Sequence, residues 1–239
     1  MRKLKVPFAV FLLLFLFLLS LRGHATNTPS ALPLPVKNDT RFSAEKLYDS
    51  LGLENYGLSK KAFQYALKGY QRLLVKGRIE NTDVLTICDF SLSSRQKRLF
   101  IIDLKNGELL LNTYVAHGRK TGTEYAKYFS NKANSHQSSL GFYITRNEYY
   151  GENGLSLRLD GIEKGFNDKA LRRNIVVHGS EYANDDFLNT NSFLGRSYGC
   201  PAVPEGEIET IVNTIKEGSC FFIYYPAKKY ITSSKILNG

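Results

Sequence analysis

The sequence predicts a mostly-β domain, a sandwich or partly closed barrel with one late helix, preceded by a short N-terminal helical segment. From about residue 82 onward, short runs rich in β-branched and aromatic residues alternate with clusters of glycine, asparagine and aspartate. Asn106-Gly107 stands between two such runs, which is a strong hairpin signal. Before residue 82 the apolar residues recur at helical spacing instead.

The predicted strands and the late helix follow from these patterns. The helix lies near residues 204–218, where isoleucine and valine recur on one face and glutamates occupy the first turns. Gly218 suits its end. The runs that predict strands are VLTICDF, RLFIIDL, ELLLNTYVAHG, GFYIT, LSLRL, NIVVHG and CFFIYY.

The helical segment, residues 41–80, contains one longer predicted helix. Ser59 suits its N-cap and Gly77 its stop. Such helices could pack on the following unit or form a small helical subdomain. The apolar face of the longer helix comprises Ala62, Phe63, Ala66, Leu67, Tyr70, Leu73 and Leu74.

The N-terminus predicts export. A basic start is followed by an uncharged apolar run over residues 6–21 and by Gly23-His24-Ala25, which is the layout of a signal peptide comprising residues 1–25. We therefore expect a protein of the periplasm or cell envelope. The alternative is an uncleaved anchor, and a membrane is an expected partner only in that case. Residues 26–40, rich in Pro, Ser, Thr and Asn, read as a linker.

Charge argues against nucleic acid as a partner. The formal net charge is +10, and four of the basic residues fall within residues 1–25. The remaining positive charge is spread along the chain without a dense basic block. A weak preference for anionic envelope polymers and a merely solvated basic surface both fit this distribution.

The three cysteines differ in setting. Cys88 and Cys220 lie in apolar runs and read as buried strand residues, which is usual for a small hydrophobic thiol. A disulfide between them is an open alternative. Cys200 stands apart in the polar segment GRSYGCPAVP.

Cys200 and His178 together predict nucleophilic chemistry. His178 lies at the end of an apolar run, at the expected end of a strand. Gly179 is then expected to turn the chain. Cys200 follows His178 by 22 residues. An adjacent imidazole activates a thiol that is otherwise mostly protonated at neutral pH. Gly199 permits unusual backbone angles and close approach of a substrate.

Backbone donors for an oxyanion are expected from the residues before Pro201, which has no N–H. They are Tyr198, Gly199 and Cys200. The histidines lack any recognised metal-ligand spacing, so neither a metal nor a cofactor is predicted. The candidate clamps for a substrate carboxylate are Arg119, Arg172, Arg173 and Arg196, with Arg196 and Arg119 preferred.

The segments VVHGSEY and GRSYGCPAV, in this order, resemble the signature of the murein L,D-transpeptidase catalytic domain family, which has the YkuD-like fold. The resemblance is to the branch with Gly-Cys-Pro at the nucleophile, and it covers roughly residues 83–226. LFIIDLKNGELLLNTYVAHG and SSLGFYIT resemble the upstream hairpin and strand of the family. The resemblance implies a catalytic domain over residues 81–230 and a tail over residues 231–239.

The resemblance also implies a mechanism on peptidoglycan stem peptides. Cys200 would attack the bond between an L-centre and D-alanine, and an amine would resolve the thioester. His178 would act as base and acid, with its imidazole oriented by the carbonyl of Gly179. Ser197, Gly199 and Cys200 would shape the anion pocket.

The sequence departs from the family pattern behind the nucleophile. Much of the family has an arginine two residues after the cysteine, where this chain has Ala202. Arg196 or Arg119 would then have to bind the substrate carboxylate. The departure leaves three alternatives open: hydrolysis by an L,D-carboxypeptidase, attachment of a protein, and a cell-wall-binding module without turnover.

Overall fold

The computed structural model describes residues 44–239. The predictions for residues 1–25 and 26–40 lie outside the described residues. The helices are α1 (Ala44–Ser50), α2 (Lys60–Val75), α3 (Asp185–Thr190), α4 (Ile208–Ile215), α5 (Lys228–Ser233) and α6 (Lys235–Asn238). Single 3-10 turns occupy Leu171–Arg173 and Glu205–Glu207. The strands are β1 (Val84–Asp89), β2 (Leu99–Asp103), β3 (Glu108–Thr113), β4 (Gly141–Gly151), β5 (Gly154–Gly161), β6 (Val176–Ser180), β7 (Ala202–Pro204) and β8 (Cys220–Tyr224).

These eight strands form one mixed sheet in the order β3-β2-β1-β8-β4-β5-β6-β7, which confirms the mostly-β prediction. Every run predicted as a strand contains one. The pairs β1–β8 and β6–β7 are parallel, and the others are antiparallel. The short strand β7 was not predicted, because its three residues follow directly on a polar loop.

The predicted hairpin joins β2 and β3. Gly107 adopts a φ of 69°, a conformation that glycine tolerates without steric cost. The Asp103 side chain fastens the loop by accepting hydrogen bonds from the N–H groups of Lys105 and Asn106, each at 2.8 Å.

Helix α2 packs on β1 and β8 and shares their core. Ser59 caps it as predicted, with its side chain accepting the Ala62 N–H at 3.3 Å. Close packing accounts for the glycine at position 69 inside this helix, because a Cβ there would lie 1.9 Å from the ring of Phe142 in β4. The helix thus uses a poor helix former to bring its backbone against the sheet.

Residues 231–239, the predicted tail, are largely helical and partly buried. Helices α5 and α6 run through them, and Ile236 and Leu237 are buried. The buried carboxylate of Glu163 accepts a hydrogen bond from the Tyr230 hydroxyl at 2.8 Å and another from the Ser234 hydroxyl. The same carboxylate accepts the N–H of Phe142 in β4 at 2.8 Å, so Glu163 ties both helices to the sheet.

Cys88 and Cys220 are both free and buried, so the disulfide left open above is not formed. Their neighbouring strands are parallel, and the register pairs Cys88 with Ile223 rather than with Cys220. The offset of three residues corresponds to ~10 Å along the strands, which is beyond the reach of a disulfide.

Candidate active site

Strands β6 and β7 bring His178 and Cys200 into the same neighbourhood. The strands are parallel, and His178 pairs with Ala202, two residues after Cys200. The expectation that Gly179 turns the chain is wrong, because β6 continues through Gly179, which pairs with Val203. Glycine is needed there for close packing instead: a Cβ would lie 3.1 Å from the Glu205 Cα.

The His178 imidazole has a defined tautomer. Its Nδ1 lies 2.9 Å from the carbonyl oxygen of Gly179, the orienting contact implied by the family resemblance. A carbonyl oxygen only accepts hydrogen bonds, so Nδ1 carries the proton and Nε2 keeps its lone pair. Burial lowers the pKa of His178, and the Gly179 carbonyl partly opposes this shift. The ring is therefore a neutral base.

The Cys200 thiol is half-buried at the beginning of β6 and donates a hydrogen bond to the Asn174 carbonyl at 3.6 Å. Asn174 presents this carbonyl from the left-handed region, with φ at 53°, which asparagine tolerates. Burial raises the pKa of Cys200, while the Val176 N–H and the charge of Arg173 act to lower it. The resting thiol is thus protonated and needs a base when it reacts.

The loop that leads to the candidate nucleophile Cys200, residues 195–200, is called the nucleophile loop, and one serine holds it. The Ser197 hydroxyl accepts the Gly199 N–H at 3.0 Å and donates to the Cys200 carbonyl at 2.6 Å. Gly199 itself has a φ of 128°, in agreement with the unusual backbone angles expected there.

The Gly199 N–H is consequently not free to bind an oxyanion, in contrast to our expectation. The N–H groups of Tyr198 and Cys200 donate to no acceptor within residues 44–239. The backbone of Gln137 packs closely against Gly199: a Cβ at Gly199 would lie 2.8 Å from the Gln137 carbonyl oxygen.

A second serine anchors the same loop to a neighbouring segment. The Ser138 hydroxyl accepts the Gly118 N–H and donates to the Gly199 carbonyl, both at 3.1 Å. Two backbone bonds run in parallel with it, from the Ser197 N–H to the His117 carbonyl and from the Arg119 N–H to the Ser197 carbonyl. The nucleophile loop is therefore fixed along most of its length.

His117 lies beneath this loop and does not line the cleft. It is buried, and its Nδ1 is 2.8 Å from Nη2 of the buried Arg98. Arg98 also donates to the carbonyls of Val115 and Leu92. Burial and the adjacent guanidinium lower the pKa of His117 to about 3, so the ring is neutral. The Nε2 atom of His117 has no hydrogen-bond partner within residues 44–239.

Arg173 is an arginine whose charge acts on the Cys200 thiol, although Arg196 and Arg119 were the clamps preferred from the sequence. Its guanidinium donates to the carbonyls of Ser130 and Gln137 at 2.9 and 2.7 Å and to two serine hydroxyls. It is half-buried and acts on the pKa of Cys200 through its charge. With both Nη atoms already engaged, Arg173 supplies charge and rigidity rather than a free pair of donors for a substrate carboxylate.

Arg119 and Arg196, the preferred clamps, line one cavity of about 520 Å³ together with Tyr198. The Arg119 guanidinium lies 5.5 Å above the exposed Tyr198 ring. Arg196 donates to the Gly122 carbonyl at 3.2 Å. The first cavity therefore presents two cations beside the nucleophile loop, and its lining contains no acidic side chain.

A second cavity has a volume of about 420 Å³. Its walls include Asn174 and Val176, whose backbone atoms contact the Cys200 thiol. The other lining residues come from the β4–β5 hairpin, the 3-10 turn and the residue before β6; they are Tyr149, Gly151, Glu152, Asn153, Arg158, Leu171 and Ile175.

The described residues were also compared with the requirements of a metal site and of a membrane-spanning helix. No cluster of three or more acidic, histidine or cysteine side chains that could hold a metal ion occurs in the described part of the chain. None of the helices within residues 44–239 has the length and apolar character needed to cross a membrane.

Solved structures that match part of this chain include several L,D-transpeptidases. One from Mycobacterium smegmatis is 10% identical, with a TM-score of 0.38, and the match covers 60% of this chain and 59% of that one. One from Xylanimonas cellulosilytica is 15% identical, with a TM-score of 0.33, over 75% of this chain and 93% of that one. The helical cell shape determining protein Pgp2 from Campylobacter jejuni is 14% identical, with a TM-score of 0.37, over 67% and 57%.

The family of this chain follows from its match to a sequence family. No curated protein matches the chain. The L,D-transpeptidase catalytic domain family, YkuD_2, matches residues 54–224, which is more than half of the chain and includes helix α2. The chain belongs to the L,D-transpeptidase catalytic domain family.

Proposed function

We propose that this protein is an exported peptidoglycan L,D-transpeptidase in which Cys200 is the nucleophile and His178 the general base and acid. The observation that carries the proposal is the arrangement of β6 and β7. It places a histidine of fixed tautomer, with Nε2 unprotonated, beside the strand that follows Cys200. Membership of the L,D-transpeptidase family supports the same reaction.

The first half-reaction cleaves the bond between the L-centre and D-alanine in a stem tetrapeptide. The Cys200 thiol gives its proton to Nε2 of His178 as the sulfur attacks the carbonyl carbon. A tetrahedral oxyanion forms. It collapses to a thioester when the C–N bond breaks and the leaving D-alanine amine takes the proton from His178.

The oxyanion is bound by the two backbone N–H groups without partners in the described residues, those of Tyr198 and Cys200. Ser197 supports them by holding Gly199 and the Cys200 carbonyl. Such donors stabilise the transition state because they are fixed before charge develops. The Gly179 carbonyl holds the orientation of the His178 imidazole during the reaction.

The second half-reaction transfers the acyl group to an amine. An amine of a neighbouring stem attacks the thioester carbonyl and loses a proton to His178, and the Cys200 sulfur leaves and is reprotonated. The first cavity, with Arg119 and Arg196, provides cations for the carboxylates of a stem peptide. No cofactor takes part in either half-reaction.

The proposal also covers the location and organisation of the chain. Residues 1–25 act as a signal peptide and residues 26–40 as a linker, which place the catalytic domain in the periplasm or cell envelope. Peptidoglycan stem peptides are the partners. The catalytic domain spans residues 81–230, and residues 44–80 of the helical segment pack against it.

The test is mass spectrometry of muropeptides after incubation of the full chain, in detergent, with purified disaccharide-tetrapeptide. A dimer lacking one D-alanine, formed by the native protein and absent with Cys200→Ala, is the expected product. Loss of D-alanine without a dimer would indicate an L,D-carboxypeptidase instead. An unchanged tetrapeptide would contradict the enzymatic proposal and favour a cell-wall-binding module.

A further inference from the structure

Charge is distributed unevenly over the described chain. Residues 60–78 and 225–239 contain nine lysines and arginines and no aspartate or glutamate. The remaining described residues, 44–59 and 79–224, contain 17 lysines and arginines against 21 aspartates and glutamates. The excess positive charge therefore belongs to helix α2, the turn that follows it and the C-terminal helices α5 and α6.

Helix α2 presents its positive charge on one face. Three lysines and an arginine recur at spacings of seven, four and four residues, which 3.6 residues per turn place on one side of a helix. The opposite side is apolar and packs on β1 and β8. The four residues on the charged side are Lys61, Lys68, Arg72 and the C-cap Lys76.

Contacts from α2 bring the C-terminal helices to the same region. Nη1 of Arg72 donates to the Ile236 carbonyl in α6 at 2.6 Å. The Tyr65 ring stacks on the Tyr224 ring with 6.1 Å between centroids, and α5 begins four residues after Tyr224. The basic region, as we call it, therefore comprises Lys61, Lys68, Arg72, Lys76, Arg78, Lys228, Lys229 and Lys235.

These eight side chains carry charge that the protein does not neutralise. None of them forms a salt bridge within residues 44–239, whereas the neighbouring Lys60 pairs with Glu45. All except Arg72 are exposed. Like charges four residues apart on a helix repel each other, so the series on α2 lowers helix stability until an anion approaches. The basic region is thus suited to an external anionic partner.

A bilayer surface that contains anionic lipid fits the length and the place of the basic region. The 16 residues of α2 form a rigid row about 24 Å long, which a planar surface can contact along its whole length. Helix α1, the first described element, packs against α2. In sequence, 22 residues separate α1 from the apolar run of residues 6–21. A chain held in a bilayer by that run would keep the basic region within reach of the lipid headgroups.

The basic region is separate from the candidate active site, which argues against a substrate polymer as its occupant. Helix α2 packs on β1 and β8, whereas His178 lies in β6, and strands β4 and β5 intervene between β8 and β6. The cations beside the nucleophile loop are Arg119 and Arg196 instead. Docking through the basic region leaves Cys200 free to act on a polymer.

We propose that the basic region docks this domain on a bilayer surface that contains anionic phospholipid. Each lysine or arginine near such a surface adds an attraction that acts within a Debye length. Apart from Val75, the exposed side chains of α2 belong to lysine and glutamine, so charge rather than apolar insertion provides the affinity. The same surface repels the net negative remainder of the domain, which fixes the orientation. The docking does not depend on the proposed reaction.

Protection of lysines from acetylation tests the proposal. The full chain is reconstituted into phosphatidylcholine vesicles with and without phosphatidylglycerol and acetylated briefly, and mass spectrometry gives the rate at each lysine. We expect phosphatidylglycerol to slow acetylation of Lys61, Lys68 and Lys229 and to leave the exposed Lys97 and Lys120 unchanged. The protection should disappear at about 1 M salt, where the Debye length is about 3 Å.

A variant with fewer charges identifies the cations responsible. Lys61→Gln/Lys68→Gln/Lys76→Gln should lower the ratio of docked to free domain about 10-fold to 100-fold, because three attractions are lost. The ratio is read from Lys229, which the variant retains. The matched control should keep the protection of Lys229; it replaces three exposed cations outside the basic region by glutamine, namely Arg95, Lys120 and Arg172.

Three results would overturn the proposal: rates that do not respond to phosphatidylglycerol, protection that spreads equally to Lys97 and Lys120, or equal losses in the two triple variants. Soluble polyglutamate provides a further comparison. Protection of the basic region by this polymer and not by the vesicles would also contradict the proposal and indicate an anionic polymer as the partner. A negative muropeptide assay would leave these results unaffected, so the two proposals fail separately.

Discussion

Nη2 of Arg98 lies 2.8 Å from Nδ1 of His117, and both side chains are buried beneath the nucleophile loop. A guanidinium only donates hydrogen bonds, so this contact requires a neutral imidazole with its lone pair on Nδ1. The backbone of His117 in turn accepts the Ser197 N–H. The ionisation state of one buried side chain is thereby linked to the position of the loop that holds Cys200.

We predict acid destabilisation through His117. Its pKa is about 3 in the folded protein, against 6.5 for an ordinary histidine. Below pH 6.5 the unfolded chain binds a proton that the folded chain refuses, so stability falls as pH drops from 6.5 to 3. The total contribution is on the order of 5 kcal/mol.

Urea unfolding of wild type and His117→Asn at pH 7, 5 and 4 measures this contribution. Asparagine has an acceptor near the position of Nδ1 and does not titrate. The stability difference between the two proteins should shift in favour of the variant as pH falls, because all other titrating groups are common to both. A difference independent of pH would contradict the prediction.

The second prediction concerns the acid limb of activity. His178 must be neutral to accept the Cys200 proton, and burial holds its pKa below the ordinary value of 6.5. Release of D-alanine should therefore persist as pH falls below 6.5 and decline only at lower pH. The profile of kcat/KM against pH measures the pKa of the free enzyme. An acid limb centred above 6.5 would be inconsistent with the buried, neutral ring.

The third prediction concerns Ser138, which bridges Gly118 and Gly199. Ser138→Ala should cost about 1–3 kcal/mol, because it leaves buried backbone groups without partners. Since the loop carries the proposed oxyanion donors, kcat should fall more than KM rises. Steady-state kinetics and urea unfolding measure both effects. Ser50→Ala, at an exposed hydroxyl, is the control, and an unaltered kcat in Ser138→Ala would show that the bridge does not position the loop.

The fourth prediction concerns Gly69. Replacement of a helical glycine by alanine normally stabilises by about 1 kcal/mol. Here the added methyl group would collide with the Phe142 ring, so Gly69→Ala should destabilise by about 1–3 kcal/mol. Thermal unfolding measures the change. The double variant Gly69→Ala/Phe142→Leu should recover part of the loss, and additive losses would argue against the collision.

Local sequence patterns were sufficient to predict elements that depend only on residues close together in the chain. Asn106-Gly107 predicts the β2–β3 hairpin because the turn conformation is set by those two residues, and Ser59 predicts the start of α2 because capping involves only the next turn. Cys200 and His178 stood out because few residue types support nucleophilic chemistry.

The remaining site depends on pairings between distant segments. Arg158 is one of many arginines until the register of β5 and β6 pairs it with Val176 beside the thiol. Arg173 acquires its position from bonds to residues 130–139, which lie far from it in sequence. The turn predicted at Gly179 failed for the same reason, because pairing with β7 extends β6 by two residues.

The different surroundings of the three cysteines make the native protein chemically addressable at one position. Cys88 and Cys220 are enclosed by the core, where a reagent cannot reach them. Cys200 alone is partly accessible to solvent. A fluorophore or spin label carried by a maleimide should therefore attach at Cys200 without removal of the other cysteines, and its signal would report the arrival of a stem peptide in either cavity.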